Sequence, residues 1–141
     1  MQSQARIVRD RDHAAELIEE AWRYKQMLGG SLRQAGIVAA GALYALDHNI
    51  ERLADDHANA RALADGLAVI DGVTLDPDEV ETNIVIFETD DPDGLCAGLE
   101  RHEVRMGVVG ARRVRAVTHL DVDAEGVQLA VQAVQRVLGA T

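Results

Sequence analysis

Aromatic residues are scarce in this chain, at 3% of its 141 residues. Leucine, valine, isoleucine and alanine must therefore fill the core, and an apolar share of 48% is enough to build one. The length is that of one ordinary domain. The single cysteine, Cys96, excludes an intrachain disulfide. Because Cys96 lies in an amphipathic helical pattern, we expect it to be a small core residue rather than a nucleophile.

Positive charge is scarce as well, and the formal net charge is -10. An acidic surface repels phosphate backbones and anionic lipid headgroups, which argues against nucleic acid and membrane surfaces as partners. The longest apolar run, residues 35–46, is well short of the roughly 20 residues that a membrane span needs. The first residues carry no apolar stretch of the signal-peptide kind. We therefore expect a cytoplasmic protein.

Three helices are predicted in the first half of the chain. The first follows Asp12, has an apolar stripe that includes Leu17 and Trp22, and ends at Gly29 and Gly30. Ser31 is expected to cap the second helix, residues 33–47. This helix is apolar on nearly every face, which predicts burial in a larger core or at a subunit interface.

Asn49 is expected to cap the third helix, which ends near Gly66. Its apolar seam has alternating spacings of three and four residues and comprises Ile50, Leu53, His57, Ala60, Ala64 and Leu67. The seam makes His57 a core or interface histidine, whereas Asp55 and Asp56 are expected on a solvated face.

The second half has a different character. Short β-rich runs separated by turn residues predict strands, and Asp91 and Asp123 are expected to cap two helices. The strands are predicted at residues 73–75, 82–87, 104–109 and 114–119. The order is three helices followed by ββαββα, which predicts an α+β fold with helices on one face of an antiparallel sheet.

Several separated motifs carry a resemblance to a known family. They are MLGGSLRQAG at residues 27–36, ALDHNIERLADDHANAR at 45–61, TNIVIF at 82–87 and VRAVTHLDV at 114–122. In this order they resemble the low-specificity L-threonine aldolases, from about residue 18 to residue 138. The resemblance implies an enzyme of the aspartate-aminotransferase fold type that uses pyridoxal phosphate. It also implies cleavage of L-threonine or L-allo-threonine to glycine and acetaldehyde, and a homo-oligomer, either a dimer or a tetramer.

The resemblance places this chain at the C-terminal end of such an enzyme. Residues 1–28 would be a connecting segment from a missing large domain, and residues 29–141 the small C-terminal domain. The family's Schiff-base lysine lies upstream of the matched region, and Lys25, the one lysine here, cannot replace it. Relatives commonly carry a lysine just before the MLGG motif, where this chain has Gln26. We therefore expect no catalytic residue in this chain and no activity from it alone.

Arg115 is the candidate for binding the substrate carboxylate, because it matches the arginine of the family's VRxVTH motif. A planar guanidinium with forked donors suits a carboxylate bidentately. In a strand, Arg115 shares one face with Arg113 and Val117. The alternative is a surface arginine on an exposed sheet face.

Arg33 is the candidate for binding the cofactor phosphate. It follows a Gly-Gly turn and is expected to open the second helix, and helix N-termini suit phosphate. A structural interface arginine is the alternative. His119 and Asp121 form an H-x-D pair that is more typical of a strand end than of a metal site, so no metal is expected.

A different class of function stays open. The ββαββα half could be a free-standing, ferredoxin-like module that binds a small molecule, with the helical half as a dimerisation arm. The pairing of the MLGGSLRQAG and VRAVTH motifs argues against this alternative, because a regulatory module has no reason to keep both.

Overall fold

The structure is a computed structural model that describes residues 11–139. The chain divides into two compact units, of which the first ends at Tyr44 and the second begins at Ala45. The prediction of a small domain that starts at residue 29 stays a prediction. Among the helices of residues 11–139, no candidate for a membrane-spanning segment is found.

The first helix, α1, spans Arg11–Met27 and ends where the glycine pair predicted. Gly29 has a φ of 75°, a left-handed conformation that glycine adopts without steric cost. The Gly30 N–H donates to the Lys25 carbonyl at 2.8 Å and the Gly29 N–H to the Gln26 carbonyl at 3.2 Å. This pair of bonds is a Schellman motif, which satisfies carbonyls that the helix end leaves open.

The second helix, α2, spans Gly36–His48, so the predicted start near Arg33 and the Ser31 cap are wrong. The Ser31 hydroxyl instead donates to Gln26 Oε1 at 2.7 Å, and residues 33–35 form a turn before the helix begins. Within the described part of the chain no residue of α2 is buried, and Ile37 is 81% exposed. The burial predicted for this apolar helix is therefore absent from residues 11–139.

The third helix, α3, spans Leu53–Leu67 and begins without a side-chain cap. The predicted Asn49 cap is wrong because the Asn49 N–H still donates to the Ala45 carbonyl of the preceding helix, at 2.8 Å. Asp56 is 3% exposed, so its predicted place on a solvated face is also wrong, whereas Asp55 is exposed. The buried side of α3 carries Asp56, Ala60, Leu63, Ala64 and Leu67, which leaves His57 exposed rather than in the core.

The second unit contains a three-stranded antiparallel sheet. Its strands are β1 (Ile84–Glu88), β2 (Gly107–Val108) and β3 (Arg113–Val117), in the spatial order β1-β3-β2. The predicted strand at residues 73–75 is reduced to one bridge between Thr74 and Glu88. It stops there because Asp76 accepts from the Asp78 N–H at 3.0 Å and starts a 3-10 turn, Pro77–Glu79.

Two further helices, α4 (Pro92–Glu100) and α5 (Ala124–Gly139), complete the unit, and their predicted caps are confirmed. Asp91 accepts from the Gly94 N–H at 2.9 Å, and Asp123 accepts from the Gly126 N–H at 2.8 Å. The core lies between one sheet face and helices α3, α4 and α5, and its largest fully buried side chains include Phe87, Leu67, Leu95, Leu99 and Val134. The α+β fold class is confirmed.

Candidate functional site

The sheet has a second face that helices α3, α4 and α5 do not cover. Strands β1 and β3 both alternate between exposed and buried residues, as a sheet with one solvated face should. The exposed positions form three cross-strand pairs: Ile84 with Val117, Ile86 with Arg115, and Glu88 with Arg113. We call these six residues the open face. Apolar side chains occupy one end of it, and charged side chains occupy the other.

Arg115 lies on this face together with Arg113 and Val117, the grouping that the alternation within β3 predicted. Its guanidinium makes no hydrogen bond or ion pair with any of residues 11–139. Its neighbour in the direction of β1 is Ile86, which is 44% exposed and cannot accept a hydrogen bond. Arg113, two residues earlier, instead faces the carboxylate-bearing Glu88 across the strands. All N–H donors of the Arg115 guanidinium are therefore available to an anion from outside these residues.

The end of β3 is fixed by a buried hydrogen-bond cluster. Two of its residues, Arg52 and Asn83, were not predicted from the sequence to have a role. The Thr118 hydroxyl donates to the Asp56 carbonyl at 2.7 Å, and the Thr118 N–H donates to the Asn83 carbonyl at 3.0 Å. The Asn83 amide donates back to the Thr118 carbonyl at 2.7 Å. Arg52 holds Asp56 through two bonds of 2.9 and 3.1 Å. These contacts fix the strand three residues beyond Arg115.

A cleft of about 400 Å³ borders the open face on its β1 side. Its lining includes Ile84, Ile86, Glu88 and Arg113 of the open face, together with Asp76 and Glu79 from the 3-10 turn region. The size is within the range of small-molecule sites, and the walls combine apolar side chains with charged ones. Arg115 is not among the residues that line the cleft, so the cleft lies beside the candidate anchor rather than around it.

Arg33 lies in the first unit, in the turn just before α2, and its side chain is exposed. It therefore stands three residues outside the helix that it was expected to open. The position still suits an anion, because the first N–H groups of a 13-residue helix point toward this turn. Arg33 and Arg115 belong to different units of the chain.

Lys25 is held in an interaction of its own. Its Nζ lies 4.4 Å from the centroid of the Trp22 ring, a cation–π geometry within one turn of α1. Gln26, at the position where the resemblance expects a lysine, accepts from the Ser31 hydroxyl. In the described residues these two side chains therefore stabilise the end of α1.

The remaining candidates show no catalytic arrangement. The His119 Nδ1 accepts from the Asp121 N–H at 3.3 Å, a local turn contact at the strand end. Within residues 11–139 no group of three or more His, Cys, Asp or Glu side chains is placed to hold a metal ion. Cys96 packs against the core, as expected. Burial raises the pKa of the Cys96 thiol, and Asp93 and Glu100 raise it further, so the thiol stays protonated.

Comparison with known proteins gives the family. A model of the beta-eliminating lyase family matches residues 7–90, more than half of the chain. Low-specificity L-threonine aldolase 1 of Arabidopsis thaliana is 31% identical over 126 residues, which are 86% of this chain and 35% of that protein. The low specificity L-threonine aldolase of Escherichia coli O157:H7 is 36% identical over 120 residues, 84% of this chain and 34% of that protein. This chain therefore spans about a third of the length of these relatives.

A solved structure shares the fold. The structure of MppP soaked with the product 2-ketoarginine superposes with a TM-score of 0.52 at 21% identity, covering 67% of this chain and 30% of that one. At this identity the likeness concerns the fold alone, and it agrees with the α+β class described above. The family model and the two aldolases each match more than half of this chain. This chain belongs to the beta-eliminating lyase family.

Proposed function

We propose that this chain is the C-terminal part of a pyridoxal-phosphate-dependent aldolase that cleaves L-threonine or L-allo-threonine to glycine and acetaldehyde. Residues 29–141 would form its small domain, and residues 1–28 would connect this domain to a large one. Support comes from the family and from the two relatives, both of which are named as L-threonine aldolases. The observation that carries the proposal is Arg115, which stands on the open face with no anionic partner in the described residues.

The role proposed for Arg115 follows from the chemistry of an amino-acid substrate. Such a substrate must present its α-carboxylate in a fixed direction if the bond to be cleaved is to be aligned. If a large domain covers the open face, the Arg115 guanidinium loses its contact with solvent and lies beside the apolar side chains of Ile86 and Val117. A desolvated charge is costly without a hydrogen-bonded partner of opposite charge, and the carboxylate supplies one.

The residues present fit the cofactor in part. Arg33, exposed in the turn before α2, could bind a phosphate group together with the N–H groups of that helix. Lys25 does not fit a covalent role, because the resemblance places the family's Schiff-base lysine upstream of the matched region; the Lys25 Nζ lies over the Trp22 ring. When bound, pyridoxal phosphate supplies the electron-accepting ring that stabilises negative charge next to the substrate carboxylate. This chain would contribute anion binding and orientation, and the reactive amine would come from the large domain.

We do not favour the free-standing, ferredoxin-like module. That motif has four strands, whereas the sheet formed by residues 11–139 has three. Acetaldehyde formation from L-threonine and from L-allo-threonine, measured for the chain assembled with its large domain, tests the aldolase proposal. Release of acetaldehyde from neither substrate would contradict it.

The isolated chain is expected to form no covalent adduct between Lys25 and pyridoxal phosphate. Covalent catalysis of this kind needs an amine beside the cofactor carbonyl, and the Lys25 Nζ lies over the Trp22 ring instead. Borohydride reduction of a cofactor-treated sample, followed by peptide mass spectrometry, measures this directly. The Escherichia coli relative serves as the positive control for glycine production. Stoichiometric labelling of Lys25 together with glycine formation from threonine would refute the expectation.

The isolated chain is also expected to self-associate at low micromolar concentration. Helix α2 exposes Ile37, Val38, Leu43 and Leu46, a patch that monomers seldom tolerate. In the proposed enzyme, a large domain and a second subunit of the homo-oligomer would cover it. Light scattering should give a mass above the 15.2 kDa of one chain.

Paired variants locate the cause of this self-association. The double variant Ile37→Glu and Val38→Glu should shift the mass toward that of one chain. The matched control Val69→Glu, which changes an equally exposed residue outside α2, should leave it unchanged. A stable monomer of the unaltered chain would show that α2 needs no external cover.

A further inference from the structure

Three residues form one row across the sheet: Ile86 on β1, Arg115 on β3 and Gly107 on β2. Directly paired residues of antiparallel strands project to the same face, with Cβ positions about 5 Å apart. Arg115 therefore has an isoleucine side chain on one side and no side chain on the other. The open side belongs to β2, a two-residue strand at the edge of the sheet.

Neither the backbone nor the packing explains the glycine at position 107. Its φ is outside the left-handed region, where Gly29, Gly72 and Gly110 lie. A Cβ placed on Gly107 meets no atom within 4 Å, whereas one placed on Gly98 would come within 2.6 Å of the Val137 side chain. Glycine is unfavourable in a strand compared with residues that have a side chain. A glycine inside a strand often marks a place where another group comes close.

We propose that Gly107 is a positioning residue, which keeps free the space through which a substrate carboxylate reaches Arg115. The inference rests on the proposed function, because it takes the ligand of Arg115 to be the carboxylate of an amino acid. A bidentate pair forms in the plane of the guanidinium, so the carboxylate needs room beside the fork. Ile86 is the cross-strand neighbour of Arg115 on one side, and the row leaves the space above Gly107 open on the other. A side chain at position 107 would fill this space or push the guanidinium aside.

Gly107→Val in the complete enzyme, loaded with cofactor, tests the inference. The Kd of glycine, measured by calorimetry, should rise about tenfold or more, since small displacements in a positioned site have large effects. Glycine is the right probe because it has the same carboxylate and no side chain. The KM for L-threonine should rise in parallel, while kcat stays within about twofold of the parent value. Gly107→Ala, which adds one methyl group, should give a smaller shift in the same direction.

Two controls separate positioning from folding. Val108 is the next residue of β2, and its cross-strand partner Val114 is buried on the face opposite to Arg115. The substitution Val108→Ile should therefore leave the Kd of glycine unchanged. Urea unfolding of Gly107→Val should show stability at least equal to that of the parent, because β-branched residues favour strands. If the valine variant fails to fold, the alanine variant decides the question, because its methyl group meets no atom within 4 Å.

The outcomes distinguish this inference from the function on which it rests. An unchanged glycine Kd in a folded Gly107 variant, with a raised Kd in Arg115→Ala, overturns the role of Gly107 and leaves the carboxylate anchor in place. An unchanged kcat/KM in Arg115→Ala overturns the anchor itself, whatever the Gly107 variants show. A raised Kd in both variants, with the Val108 control unaffected, is the expected result.

Discussion

Replacing Arg115 with alanine should lower kcat/KM for L-threonine roughly a hundredfold in the complete enzyme. Removing one partner of a buried charge pair costs on the order of 3 kcal/mol, and about 1.4 kcal/mol corresponds to each factor of ten. Arg115→Lys should recover only part of the loss, because an ammonium cannot reproduce the forked donors. Steady-state kinetics measure the effect, with cofactor occupancy checked by absorbance.

Arg112→Ala is the matched control for this result. Arg112 lies just before β3, outside the open face and the lining of the cleft, and its guanidinium is bound to Asp90 at 2.6 Å. Its removal should therefore change kcat/KM by much less than the removal of Arg115. A near-normal kcat/KM in Arg115→Ala would exclude the anchor role. Joint loss of cofactor and activity would indicate a structural role instead.

Replacing Phe87 with alanine should destabilise the second unit by about 3–5 kcal/mol, the usual cost of removing a buried phenylalanine side chain. Phe87 is 1% exposed and belongs to the core between the sheet and the helices. A loss of this size is a large share of the roughly 5–15 kcal/mol that stabilises an ordinary domain. Urea unfolding followed by circular dichroism measures it.

Ile86→Ala is the matched control for Phe87, since the two residues are neighbours on β1 and point to opposite faces. The Ile86 side chain is half-exposed, so its loss should cost at most about 1 kcal/mol. Equal destabilisation by the two substitutions would mean that both faces of the sheet are packed. That result would contradict an open face in the isolated chain.

The parts of the fold set by local chemistry could be predicted from the sequence. Asp91 and Asp123 cap their helices because each carboxylate reaches an N–H three residues later. The Gly29-Gly30 pair ends α1 for a similarly local reason. The alternation within β3 also grouped Arg115 with Arg113 and Val117 on one face, because successive strand residues point to opposite sides.

The incorrect predictions concern features that depend on contacts between distant segments. Asp56 reads as a solvated carboxylate, yet its backbone carbonyl accepts from Thr118, which is 62 residues away. Asp56 lies on the buried side of α3, whereas His57 is exposed and lies outside the core; the alternative that His57 belongs to an interface stays a prediction. The prediction of a strand at residues 73–75 was wrong because only Thr74 forms a bridge, to Glu88, before the 3-10 turn changes the direction of the chain.

The candidate site was predictable only in part, for the same reason. Arg115 could be identified from the VRAVTH motif, which resembles that of the aldolases, and from its place within a strand. Its cross-strand neighbours could not be identified, because the spacing of residues along one strand does not determine its register with another strand. The row formed by Ile86, Arg115 and Gly107 emerges only when the strands pair in the order β1-β3-β2.

The central claim is that Arg115 binds the substrate carboxylate, and a two-by-two comparison of enzyme and substrate tests it most directly. L-threonine and L-threoninamide differ in the charge that Arg115 would contact, while their side chains are the same. The unaltered enzyme should prefer the carboxylate in kcat/KM by roughly a hundredfold, as expected for a buried charge pair. Arg115→Ala should lose most of this preference, because the acid no longer meets its partner. An undiminished preference for L-threonine in Arg115→Ala would contradict the account.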